Sequence, residues 1–157
     1  MNQCMKQHMK QQAAVLISGL LMALSAFAQV TVKDPWIRAT VPAAKSTGAF
    51  MQLQSVQDAR LLEVRSSVAG TVEIHQMQMD GQMMKMHAVE GIDLPAGKPV
   101  QLASGGYHVM LMDLKRQLKD GEQVPVTLVI QRKGKKPETM DVQVPVKPLN
   151  YSAPAAH

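Results

Sequence analysis

Apolar and polar positions along this chain come in short runs broken by Gly, Pro, Asp and Ser, not in the long stripes of an amphipathic helix. Runs rich in β-branched and apolar residues with such punctuation read as strands. The pattern predicts strands over Val30–Val32, Trp36–Ala39, Gly48–Ser55, Arg60–Ser66 and Thr71–Met79. It predicts five more over Met83–Val89, Val100–Leu102, Tyr107–Leu114, Val124–Arg132 and Thr139–Val144. Asp80-Gly81, between two apolar-rich runs, predicts a hairpin. No segment after residue 28 holds a helical period over ten or more residues. Many short strands at this spacing predict an all-β fold, an antiparallel Greek-key sandwich or barrel. From Leu149 the sequence LNYSAPAAH reads as a flexible tail.

The first 28 residues break this pattern. A polar stretch with Lys6 and Lys10 precedes the apolar run Ala13–Leu24, and Ala26 and Ala28 supply an A-x-A step before Gln29. That order is expected of a cleavable signal peptide over residues 1–28. The run is shorter than the roughly 18 residues of a membrane span, so no stable insertion is expected after cleavage. The expected organisation is a signal peptide at 1–28, one domain at 29–148 and a tail at 149–157.

Composition narrows the chemistry. Cys4, the single cysteine, precedes the apolar run and leaves with it, so it is not expected to carry a lipid. The mature domain then has neither disulfide nor thiolate, and its stability rests on burial and hydrogen bonding. Loss of Lys6 and Lys10 lowers the formal net charge of +5 by two. The remaining basic clusters, Lys115-Arg116 and Arg132-Lys133 with Lys135-Lys136, read as solvated turns. With aromatics at 3%, the chain lacks the stacking platforms of a nucleic-acid binder.

Methionine and histidine change the picture most. The segment EIHQMQMDGQMMKMHAVE, Glu73–Glu90, carries His75 and five methionines, and SGGYHVMLMDLK, Ser104–Lys115, carries His108 and Met110. Residues two apart on a strand share a face, so His108 and Met110 can reach one ion. His75 and Met77 are related in the same way, with Met79 next on that face. Met86 lies across the hairpin and approaches His75 if the pairing is staggered or the ends splay. Thioether sulfur is neutral and soft, a poor partner for Mg²⁺, Ca²⁺ or Zn²⁺ and a good one for Cu(I). Lacking an anionic thiolate, such a site holds its ion loosely enough to release it. It also contains nothing that oxidation would turn into a disulfide, although methionine sulfoxide would spoil the donor.

Four of these residues, His75, Met86, His108 and Met110, follow the spacing H-x10-M-x21-H-x-M. The chain closely resembles the periplasmic copper chaperones called PCu(A)C, over essentially the whole mature domain. The segment DPWIRATVPAAKSTGAFMQL, Asp34–Leu53, is similar to that family's opening as well. The resemblance implies a cupredoxin-like fold binding one Cu(I) per chain through those four side chains, in the periplasm. It further implies delivery of copper for assembly of haem-copper oxidases, with cytochrome oxidase subunit II and its CuA centre, or another copper-assembly protein, as partner. A monomer is expected.

The remaining donors are assigned lesser parts. Met77 and Met79 are expected to pack or to support the ligands, and Met83 and Met84 either pack or guard the ion's entry. Met112 is read as core, Met51 and Met140 as core or spare surface, and Trp36 as a core anchor. His87 follows Met86 and is expected to point away, while His157 is a candidate supplementary donor for weaker Cu(II) binding. Other function classes fit poorly. A blue-copper electron carrier needs a cysteine thiolate. A hydrolytic zinc enzyme would show a motif such as H-E-x-x-H, and neither that nor a Gly-x-Ser-x-Gly elbow is present, so no enzyme activity is expected. Copper buffering or resistance would use the same ligands as delivery and stays open as the alternative.

Overall fold

The computed structural model describes residues 29–154. The expected signal peptide, Cys4 and His157 lie outside the described residues. Ten strands are formed, and no helix occurs among the described residues. They are β1 (Val30–Arg38), β2 (Ser46–Ser55), β3 (Ala59–Ser66), β4 (Ala69–Asp80) and β5 (Met83–Val89). There follow β6 (Ile92–Leu94), β7 (Pro99–Leu102), β8 (Tyr107–Leu114), β9 (Gln123–Arg132) and β10 (Glu138–Lys147). Hydrogen bonding joins them in the order β5-β4-β8-β7-β2-β1-β10-β9-β3-β6, with β8 also pairing β2 directly. All pairings are antiparallel except a short β7–β8 contact and the β1–β10 junction, where only Ile37 and Arg38 meet Val146 and Lys147. At that junction the ladder turns over, so β5-β4-β8-β7-β2-β1 faces β10-β9-β3-β6 across a shared core. This is the expected all-β, cupredoxin-like sandwich.

The core follows from period-two alternation. On β9, Val124, Val126, Leu128 and Ile130 are buried, and on β8 Val109 and Leu111 are. Ala49, Met51 and Leu53 of β2 and Ile74 of β4 complete the same cluster from the first layer. Their neighbours in sequence therefore point away from the core. On β8 that puts His108, Met110 and Met112 on the outer face. Met112, which the sequence suggested as core, is half-buried there, opposite Ser46 and Thr71.

Trp36 is also relocated. It is buried, but it is not part of the core cluster. Pairing of β1 with β2 slips by one residue between Lys33 and Trp36, where Asp34 adopts φ 46°. That extra residue is a β-bulge, and it reverses which positions face inward. Val30 and Val32 point to the core before it and Ile37 after it, which turns Trp36 outward. There the indole stacks on Phe50 at 4.5 Å between ring centroids and receives Tyr151 edge-on at 4.9 Å. Arg38 lies over the same rings and donates a 2.9 Å hydrogen bond to the Leu149 carbonyl. The segment from Leu149, expected to be flexible, thus begins with residues packed on the outer face. Gly48 makes room for this layer: a Cβ at that position would stand 2.7 Å from Cζ of Phe50.

These positions generate a paired prediction. Gly48→Ala should displace the Phe50 ring, shift the emission of the single tryptophan to the red and cost about 1–3 kcal/mol of stability. Leu128→Ala, in the core, should cost about 2–5 kcal/mol while leaving the native emission unchanged. Fluorescence-monitored urea unfolding of both variants reads both quantities.

Candidate metal centre

Two central strands carry the imidazoles. In the antiparallel β4–β8 pairing, His75 stands directly opposite His108. Directly opposed residues share a face, so both rings rise from the outer side of the first layer, 5.8 Å apart between centroids and edge to face. They are nonetheless buried, with 8% and 7% of their surface exposed. Phe50 flanks His108 at 6.4 Å between centroids, so the aromatic layer walls one side of the site.

The ring nitrogens are disposed unequally. Nε2 of His75 lies 2.7 Å from a Glu73 carboxylate oxygen, which can only accept, so in the neutral ring that nitrogen carries the proton. Nδ1 of His75 is then a bare lone pair. It is buried and has no hydrogen-bond partner among the described residues. His108 faces an acceptor at each ring nitrogen: its Nδ1 lies 3.3 Å from the Gly106 carbonyl, and its Nε2 points at a thioether. That Nε2 stands 3.2 Å from the sulfur of Met86. The neutral ring can donate to only one of these two acceptors, and with the proton on Nδ1 the Nε2 lone pair faces those of the sulfur. An electron-poor ion beside them would satisfy both.

Met86 arrives by a regular route. The β4–β5 ladder is unbroken from Ile74↔Val89 to Asp80↔Met83, with Met86 opposite Met77 and Ala88 opposite His75. Neither a stagger nor splayed ends are needed, because the long thioether leans diagonally over β4 to reach His108. Met86 remains 49% exposed. Met110, two residues beyond His108, sits on the same face between Glu73 of β4 and Gly48 of β2. The four residues of the sequence spacing therefore lie on one outer surface, with His75, His108 and Met86 clustered and Met110 one strand step away. His87 pairs with Gln76 and faces the other side, as its parity requires.

Among the described residues, no three of His, Cys, Asp and Glu lie close enough to hold an ion. An ion at the two histidines would thus need thioether sulfur to fill its shell. Sequence reasoning missed three supports of this site. Glu73 was legible in principle, since a carboxylate two residues before His75 on a strand shares its face. Phe50 and Gly48 were not, because only the β2–β8 pairing brings them beside His108 and Met110.

The chain is similar to several known proteins. The family described as "LpqE-like: Putative lipoprotein LpqE-like" matches residues 30–146. A protein of Leifsonia xyli subsp. xyli, named "Putative lipoprotein Lxx21020", is 32% identical over 148 residues, covering 86% of each chain. The solution structure of apo-DR1885 from Deinococcus radiodurans aligns at TM-score 0.57 and 33% identity, over 76% of this chain and 79% of DR1885. The Cu(I) form of DR1885 aligns at TM-score 0.56 and 31% identity, over 75% and 76% of the two chains. A copper-bound PCuAC domain from PmoF2 shares the fold at TM-score 0.62 and 23% identity, over 76% and 93%. With the family match running from β1 into β10 and these structures sharing its sandwich, the chain belongs to the LpqE-like family and has the fold of PCuAC domains.

Proposed function

We propose that this domain is an exported carrier that takes up one Cu(I) through His75, Met86, His108 and Met110 and passes it to an apo copper protein. The observation that carries the reading is the convergence of two imidazoles and a thioether on one spot. Nε2 of His108 faces the Met86 sulfur at 3.2 Å, beside the partnerless, buried Nδ1 of His75. Two imidazoles and two thioethers are soft, neutral donors that suit Cu(I). The copper-bound PmoF2 domain and Cu(I)-DR1885 support copper as the cargo, and the lipoprotein names of the relatives support export.

Release follows from where the site lies. Cargo held on an outer face, with Met86 half in solvent, can be approached by a donor from another protein. The incoming donor replaces the exposed thioether first, and the buried imidazoles let go last. No redox step is required, because the ion keeps its charge while ligands exchange. Glu73 fixes the His75 ring and its proton from below, and its negative charge offsets that of the bound ion. The recipient we favour is the CuA-bearing subunit of a haem-copper oxidase.

X-ray absorption of the Cu(I)-loaded protein should show sulfur beside nitrogen in the coordination shell, and a shell of nitrogen and oxygen alone would defeat the reading. Loss of an outer partner of a metal ligand typically costs 10–100-fold in affinity. Met110→Ala and His108→Ala should therefore each weaken Cu(I) retention about 100-fold in chelator competition. Mixing two equivalents of the loaded domain with a reduced apo subunit II fragment, followed by one-electron oxidation with ferricyanide, should generate the CuA absorption bands; no transfer would leave buffering as the better description. Glu73→Ala should leave the fold intact while shifting His75 from the Nε2–H form to a mixture of tautomers, read from its imidazole ¹⁵N shifts.

A further inference from the structure

Beyond the histidine centre, the β4–β5 ribbon outruns its neighbour. Pairing of β4 with β8 stops at Gln76↔Tyr107, with one further hydrogen bond from the Met77 amide to the Gly106 carbonyl. Pairing with β5 continues to Asp80↔Met83. The hairpin closes through Gly81, whose φ of 64° with no positive φ at Gln82 is the type II′ pattern. From Met77 onward the ribbon is two strands wide with both faces open.

The two faces differ in kind. On the face shared with His75, the overhang presents Met77 and Met79 from β4 and Met84 and Met86 from β5. Every position on that face is a methionine. The reverse face presents Gln78, Asp80, Met83, Lys85 and His87, with Lys85 paired to Asp80. Met79 is 58% and Met84 48% exposed, so these side chains fill no gap in a core. Strand surfaces ordinarily favour β-branched and aromatic residues, and exposed thioethers gain nothing from burial. Four of the five thioethers on the ribbon share this face, and only Met83 lies on the other.

We infer that Met77, Met79 and Met84 form a second, weaker Cu(I) site on the overhanging ribbon, next to Met86 and outside the histidine centre. Met79 and Met84 are directly opposed, which places their Cβ atoms about 4.5–5.5 Å apart. Met77 stands two residues along β4, about 6.6 Å away. Three flexible thioethers at those separations close over one soft ion. All three donors are neutral, Met79 and Met84 exposed and Met77 half-buried, without a buried imidazole, so the ion is held less tightly than at the histidines. The Asp80–Lys85 pair leaves little local charge to repel a cation. The identity of the ion rests on the carrier reading above, whereas the existence of a thioether site does not.

Ag(I), a soft monovalent ion with no redox chemistry, is the probe. Titration into protein labelled at the methionine methyls should give two steps by ¹H–¹³C NMR. The first should shift Met86 and Met110 and the second Met79 and Met84. Met79→Leu with Met84→Leu keeps shape and apolar character but removes sulfur. That double variant should lose at least about tenfold in the second affinity and keep the first. His108→Ala should do the reverse. If the Met79 and Met84 methyls stay unmoved through two equivalents, or the double leucine variant still takes up two ions with unchanged affinity, the second site does not exist. If His108→Ala retains the tight step, the carrier reading fails while the ribbon site stands.

Discussion

The alignment of His75 with His108 across β4 and β8 is the constraint on which the site depends. A one-residue slip of either strand would send one imidazole into the core and leave the other outside. Ile74 packed against Val109 and Leu111 prevents that slip, since moving them outward would expose buried apolar surface. The hydrophobic core thus does more than hold the sandwich together. By fixing the parity of two central strands, it delivers two histidines to one spot on the opposite face. The cost of misplacing the site is the cost of unpacking the core.

The outer face is built as a second, smaller layer. Trp36 turns outward at the Asp34 bulge, Phe50 lies over the space left by Gly48, and Tyr151 closes the stack. This cladding buries imidazoles that a bare sheet surface would expose. Burial matters to the chemistry because water would otherwise satisfy the His75 Nδ1 lone pair. On the other flank there is no such wall, and Met86 and the ribbon beyond it stand in solvent. Protection on one side and access on the other suit a group that must be held and then surrendered.

Ligand chemistry and strand geometry reinforce each other here. Methionine is flexible enough for Met86 to lean across an intervening strand, which a shorter or β-branched donor could not do. Histidine is rigid and needs a partner on its second nitrogen, and Glu73 and the Gly106 carbonyl supply one each. The two kinds of donor are therefore positioned by different means. One is fixed by hydrogen bonds from within its own neighbourhood, and the other stands half in solvent on a flexible side chain.

Much of this was legible in the sequence, because period-two alternation and turn residues are local. The strands Met83–Val89 and Tyr107–Leu114, the Asp80-Gly81 turn and the shared face of His108 and Met110 could all be read directly. Short β6 escaped notice because Ile92–Leu94 is too brief to show a period. Which face of a strand meets the core is a tertiary fact: Met112 and Trp36 were misplaced inward because a sequence states parity without direction. The bulge that turned Trp36 and the pairing of β2 with β8 depend on residues far apart in the chain. Spacing named the donors, and only the packed sandwich could decide that they lie outside it, walled on one side and open on the other.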